Sequence, residues 1–88
     1  MTGRMNVMAK KIEIYTTAYC PYCHSAKSLL KSKKVEFEEI DVSDDSDLRR
    51  KLVHRTRGRE TVPQIFAEGK LIGGYDDLVA YYQSGKSL

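Results

Sequence analysis

Eighty-eight residues suffice for one domain and are too few for two. Fifteen Lys and Arg against twelve Asp and Glu leave a net charge of only +3, and no run of about eighteen apolar residues exists to span a membrane. The two cysteines, Cys20 and Cys23, stand too close together to staple distant elements, and a bridge between them would constrain the unfolded chain little. They are therefore expected to serve reactivity in a reducing compartment, with the cytoplasm as the default location.

The opening "MTGRMNVMAK" has no apolar stretch of the roughly seven to fifteen residues that a secretory signal needs. It reads as a disordered leader over residues 1–10, with Met8 as a possible initiator and a folded domain over 11–88. From Lys11, Ile12, Ile14 and Thr16 alternate with Glu13 and Tyr15, which predicts a strand. At Pro21 the period becomes helical, and Tyr22, Ala26, Leu29 and Leu30 share a face. Pro21 suits the first helical turn, where its missing N–H costs nothing.

"VEFEEIDV" predicts a second strand, charged enough to lie at a sheet edge. Asp44 to Thr56 predicts a second helix, capped by Ser43 or Asp44, with Leu48, Leu52 and Val53 facing inward. "TVPQIFAEGKLIGG" predicts a hairpin turning at Glu68–Gly69, and Gly73–Gly74 ends the sheet. A last helix starts near Asp76 and buries Leu78, Tyr81 and Tyr82. The order is β-α-β-α-β-β-α, an α/β domain in which the first β-α-β unit is a right-handed parallel crossover and helices cover both faces.

This layout puts Cys20 between the end of a strand and the start of a helix. Unpaired backbone N–H groups and the positive end of the helix dipole converge there, and both favour a thiolate, the form that attacks disulfides. Cys23, one turn further in, is expected to be more buried and protonated, yet close enough to resolve a mixed disulfide on Cys20. A C-x-x-C beside a βαβ pattern is a thioredoxin-like redox signature. A structural zinc site needs four ligands and a second C-x-x-C is missing. His24 and His54 are the nominal substitutes, but His24 adjoins Cys23 and points elsewhere on the helix. Two inert buried cysteines do not suit a strand-to-helix junction, so the redox reading stands above both.

"CPYC" at 20–23, "TVPQIF" at 61–66 and "GGYDDL" at 73–78, in this order, resemble a bacterial dithiol glutaredoxin from Lys11 to about Gly85. The resemblance implies a thioredoxin-like fold, a four-stranded mixed sheet flanked by three helices, and transfer of reducing equivalents from glutathione to disulfides. It implies a cis Pro63 facing the reactive cysteine, with the Val62 backbone pairing with the cysteinyl part of glutathione, as an extended peptide pairs with a strand. Thr61 and Gly74 belong to the same implied glutathione site. Asp76, Asp77 and the start of the last helix hold the γ-glutamyl end, although both acids also complement the helix dipole.

The resemblance further places Tyr22 beside the glycyl end and Arg50 on the glycyl carboxylate. Arg50 lies in "RRKLVHRTRGR", which core residues Leu52 and Val53 interrupt too often to argue for nucleic acid. Two positions depart from the family pattern. Thr17 stands where many relatives have Lys, so Arg50 or Arg57 is expected to supply the missing charge, or glutathione binds more weakly. Tyr75 stands where many relatives have Cys, with no expected effect on catalysis. The implied partners are glutathione and disulfide-bearing or glutathionylated proteins, acting on a monomer without metal, nucleic acid or membrane. Two rivals remain: a redoxin of similar fold reduced by thioredoxin reductase, and a dimer holding an iron–sulfur cluster through Cys20, which the Pro21–Tyr22 dipeptide disfavours.

Overall fold

A computed structural model describes residues 11–88, so the expected leader over 1–10 and the reading of Met8 lie outside the described residues. Four strands and three helices follow the predicted order: β1 (Ile12–Thr16), α1 (Pro21–Ser32), β2 (Glu38–Asp41), α2 (Ser46–Thr56), β3 (Gln64–Ala67), β4 (Lys70–Gly73) and α3 (Tyr75–Gln83). The strands lie in the order β2-β1-β3-β4, with β1 parallel to β2 and antiparallel to β3. β3 pairs antiparallel with β4, so the sheet is mixed, and β2 is an edge strand as its charge requires.

β1 is central, and both of its faces are covered. On one face Ile12, Ile14 and Ile65 pack with Ala26 and Leu30 of α1 and Leu78 of α3. On the other, Tyr15 and Phe66 pack with Val42 and with Leu52 of α2, the two rings meeting edge to face at 5.7 Å. Tyr15 is thus as buried as the isoleucines it alternates with. Arg55 locks α2 onto this second face. Its guanidinium stacks 3.9 Å above the Phe66 ring and donates to the Tyr15 hydroxyl at 2.9 Å and to Glu13 at 3.1 Å.

Several boundaries differ from expectation for identifiable reasons. The cap of α2 is Asp45, whose carboxylate accepts the Leu48 N–H at 3.0 Å. Ser43 is unavailable for that task, because its hydroxyl accepts the Ala18 N–H at 2.9 Å. β2 is shorter than "VEFEEIDV", with Val35 and Phe37 packing against the first core from outside the strand. α3 starts at Tyr75 with Gly74 as its cap. Only Leu78 of that helix is fully buried; Tyr81 and Tyr82 are half-buried and lie under Lys86 and Lys33. Tyr22 does not share the buried face of Ala26 and Leu30 but is exposed, because it sits in the first turn beyond the sheet's end.

Candidate functional site

The topology gathers four chain segments at one end of the sheet. The turn after β1 and the loop after β2 leave from that end, the chain enters β3 there, and it leaves β4 there into α3. Cys20 is the N-cap of α1. Its carbonyl accepts the Cys23 N–H at 3.1 Å and the His24 N–H at 3.3 Å. Its Sγ receives the Cys23 N–H at 3.3 Å, so the sulfur occupies the place of a capping oxygen. No acidic residue stands in the first turn of α1 to oppose negative charge there. The Cys20 thiol points across to the Val62 carbonyl at 3.5 Å.

Cys23 is the chemical opposite of its neighbour. It is buried, and that burial pushes its thiol up to about 12, aided by its hydrogen bond with Cys20. A backbone hydrogen bond from Thr17 works in the other direction without reversing the result. Both cysteines are free thiols, Cys20 partly exposed. One accessible sulfur at a helix start and one protonated sulfur beneath it form an asymmetric dithiol, suited to attack by the first and resolution by the second.

Next to Cys20 opens a cavity of about 480 Å³, walled by Tyr22, Arg59, Thr61, Val62, Pro63 and Gln64 and by Gly74, Tyr75, Asp76 and Asp77 at the start of α3. The Val62–Pro63 peptide is cis. Gln64 donates to the Thr61 carbonyl at 3.1 Å and to its hydroxyl at 3.2 Å, fixing the segment that leads into β3. Asp77 accepts the Gly74 N–H at 3.0 Å and closes the first turn of α3. The cavity thus takes in the start of α3, where a helix presents unpaired N–H groups to an anion.

Of the residues expected at the site, Tyr22, Thr61, Val62, Pro63, Gly74, Asp76 and Asp77 line the cavity and Cys20 borders it through Val62. Arg50 is not brought there. It is exposed on the N-terminal half of α2 and pairs with Asp47 at 3.0 Å. The arginine on the cavity wall is Arg59, 3.7 Å from the Asp77 carboxylate. Arg57, the other expected substitute for the charge missing at Thr17, caps the C-terminus of α2 in a left-handed conformation and does not line the cavity. Nothing in the sequence distinguishes Arg59 among the six Lys and Arg of "RRKLVHRTRGR". Its place two residues before "TVP" is the signal that would have found it. Tyr75 also takes part, with its ring 6.1 Å from that of Tyr22.

A mixed four-stranded sheet with a dithiol at the end of its central strand, facing a segment with a cis proline, defines a thioredoxin-like redox domain. The glutaredoxin family model matches residues 12–72, and the chain belongs to that family, with an oxidoreductase role. It is 51% identical over 69 residues to glutaredoxin 3 of Escherichia coli K12, covering 78% of this chain and 82% of that one. A glutaredoxin of Pseudomonas aeruginosa is 48% identical over 75 residues, 85% of this chain and 88% of its own. Among solved structures, a buckwheat glutaredoxin–glutathione complex superposes with a TM-score of 0.79 at 28% identity, covering 96% of this chain and 78% of that one. The glutaredoxin of Brucella melitensis gives 0.75 at 46% identity, with 86% and 82% covered.

Proposed function

We propose that this protein is a glutathione-dependent disulfide oxidoreductase that reduces protein–glutathione mixed disulfides and protein disulfides. The observation that carries this reading is the Cys20 sulfur at the helix cap, 3.5 Å from the Val62 carbonyl on the wall of a cavity open to an anionic peptide. The buckwheat relative crystallised as a glutathione complex lends support, as do the cavity residues shared with the expected site.

In the reaction, Cys20 attacks the glutathione sulfur of a mixed disulfide. The bond to the protein sulfur breaks, the protein thiolate leaves and takes a proton, and glutathione remains on Cys20. A second glutathione thiolate attacks that sulfur, giving oxidised glutathione and free Cys20. With a protein disulfide, Cys20 attacks one sulfur and releases the other as a thiol. Cys23 then gives up its proton and attacks the Cys20 sulfur, and the second protein thiolate leaves and takes a proton. Two glutathiones reduce the Cys20–Cys23 bridge, leaving as oxidised glutathione. Within the cavity, the Val62 backbone pairs with the cysteinyl unit of glutathione, and the start of α3 with Asp76 and Asp77 holds the γ-glutamyl end. Arg59 supplies the positive charge on the cavity wall. The reading places the protein in a reducing cytoplasm, as a monomer acting on glutathionylated and disulfide-bearing proteins.

Glutathione-dependent turnover of a glutathionylated substrate by wild type, Cys20→Ser and Cys23→Ser tests it. Activity retained in Cys23→Ser and absent in Cys20→Ser is expected. A wild type and Cys23→Ser both inactive with glutathione would sink the reading in favour of a redoxin served by a reductase.

A further inference from the structure

The segments at the active end of the sheet follow the strand order: the β2–α2 loop, then the turn carrying Tyr19 and Cys20, then the entry to β3, then the start of α3. Apart from Tyr22, the cavity wall comes from the β3 and β4 side of Cys20. The opposite flank has its own construction. Ala18 donates its N–H to the Ser43 hydroxyl at 2.9 Å, which ties the Cys20 turn to the β2–α2 loop. The turn so tied carries Tyr19, which is 88% exposed. It and Tyr22 are the exposed large hydrophobic residues among those described, and they bracket the reactive cysteine. Scattered surface apolar residues need no explanation, but two exposed rings three residues apart, with Cys20 between them in sequence, are not scattered. Tyr22 is used by the cavity; Tyr19 is not among its walls.

The loop joined to Tyr19 is acidic. Asp41 accepts the Ser43 N–H, Asp45 caps α2 and Asp47 pairs with Arg50, so each of these three already has a partner. Asp44 is exposed and has no hydrogen bond or ion pair among the described residues. An uncovered aromatic ring on a turn tied to the loop that carries a free carboxylate matches a peptide that offers an apolar side chain and a cation.

We propose that Tyr19 and Asp44 form a docking site for the polypeptide half of the mixed disulfide, recognising an apolar residue next to the glutathionylated cysteine and a Lys or Arg beyond it. This rests on the glutathione reading above, and the chemistry dictates the division. Cys20 attacks the glutathione sulfur, so the bond formed joins Cys20 to glutathione and the bond broken releases the polypeptide thiolate, which water protonates. The two halves must diverge from that sulfur. Glutathione fills the cavity on the β3 side, and the polypeptide is left the flank that carries Tyr19.

The test is kcat/KM for three glutathione mixed disulfides: that of free cysteine, that of a peptide with Leu beside the cysteine and Lys beyond it, and that of the same peptide with Gly and Glu at those places. Wild type should favour the Leu/Lys peptide over the Gly/Glu peptide. Tyr19→Ser should lower its rate roughly five- to tenfold, the loss expected of an aromatic interface anchor, with the free-cysteine substrate unchanged. Tyr19→Phe should keep the preference, and Asp44→Asn should reduce both it and its sensitivity to salt. A Tyr19→Ser protein that retains the preference, or that slows on all three substrates alike, overturns the proposal. A wild type that turns over none of them sinks the glutathione reading itself and the docking site with it.

Discussion

The backbone N–H of Cys23 points at the sulfur of Cys20 from 3.3 Å, while its own sulfur is buried beneath the first turn of α1. The helix start therefore serves the partly exposed sulfur, and desolvation silences the other. Because Cys23 is raised from 9.0 to about 12, the folded protein holds that proton more tightly than the unfolded chain. The contribution is intact below pH 9 and is lost as pH rises through about 12. The urea midpoint of the reduced protein should fall over that window, and the fall should be smaller in Cys23→Ala. At neutral pH, iodoacetamide should alkylate wild type once, at Cys20, and the native Cys20→Ser protein hardly at all. Equal labelling of both cysteines would contradict the asymmetry.

Thr16 and Lys27 converge on one carboxylate oxygen of Glu39, at 2.8 and 2.9 Å. Lys27 first, and then Thr16, hold that carboxyl below the usual carboxylate range. A depressed carboxyl contributes stability that is present above its unfolded pKa of about 4.5 and is lost as pH falls further. Thr16→Val keeps the shape of a buried side chain and removes its donor, which should cost about 1 kcal/mol near neutrality. The variant's deficit should shrink as pH drops below 4.5. Chemical denaturation at several pH values measures it, and a deficit independent of pH would assign the loss to packing alone.

Gly73 ends β4 with φ of +124°, and a Cβ there would collide with the Asp77 carboxylate. The same carboxylate holds the Gly74 N–H at 3.0 Å, so strand end and helix start share one small space. Gly73→Ala should destabilise the protein by roughly 1–3 kcal/mol from its backbone conformation alone. It should also raise KM for glutathione by displacing Asp77. Adding Asp77→Ala removes the carboxylate but leaves the residue-77 Cβ within 2.8 Å of the new methyl, so it should recover only part of the stability and none of the KM. Thermal melts and steady-state kinetics separate the two effects, and a Gly73→Ala protein with unchanged KM would remove Asp77 placement from the binding argument.

The order of elements, the edge position of β2 and the placing of Cys20 at a helix start could all be read in the sequence, because each follows from a local pattern: alternation at Ile12–Thr16, charge in "EFEEID", and Pro21 after a cysteine. Features decided by competition for a partner could not. Ser43 looks like a helix cap until Ala18, 25 residues earlier in sequence, takes its hydroxyl. Tyr22 has the right spacing for the buried face of α1, yet the sheet ends before reaching it. Arg50 and Arg59 belong to one basic run, and only the turn after α2 determines which of them reaches the cavity. Thr56 sets that turn, its buried hydroxyl receiving the Arg59 N–H at 3.0 Å.

Arg59 is half-exposed on the cavity wall, 3.7 Å from Asp77, whereas Arg50 is mostly exposed and bound to Asp47 on the first turn of α2. If Arg59 provides the charge that meets a carboxylate of glutathione, Arg59→Ala should raise KM for glutathione about fivefold, the equivalent of about 1 kcal/mol for a partly screened pair. It should also flatten the rise of KM with salt, since the screened charge is gone. Arg50→Ala should leave KM unchanged, because its partner is Asp47 and not the substrate. Arg57→Ala should behave like Arg50→Ala. A KM that responds to Arg50 or Arg57 and ignores Arg59 would mean that the loop after α2 rearranges when glutathione binds.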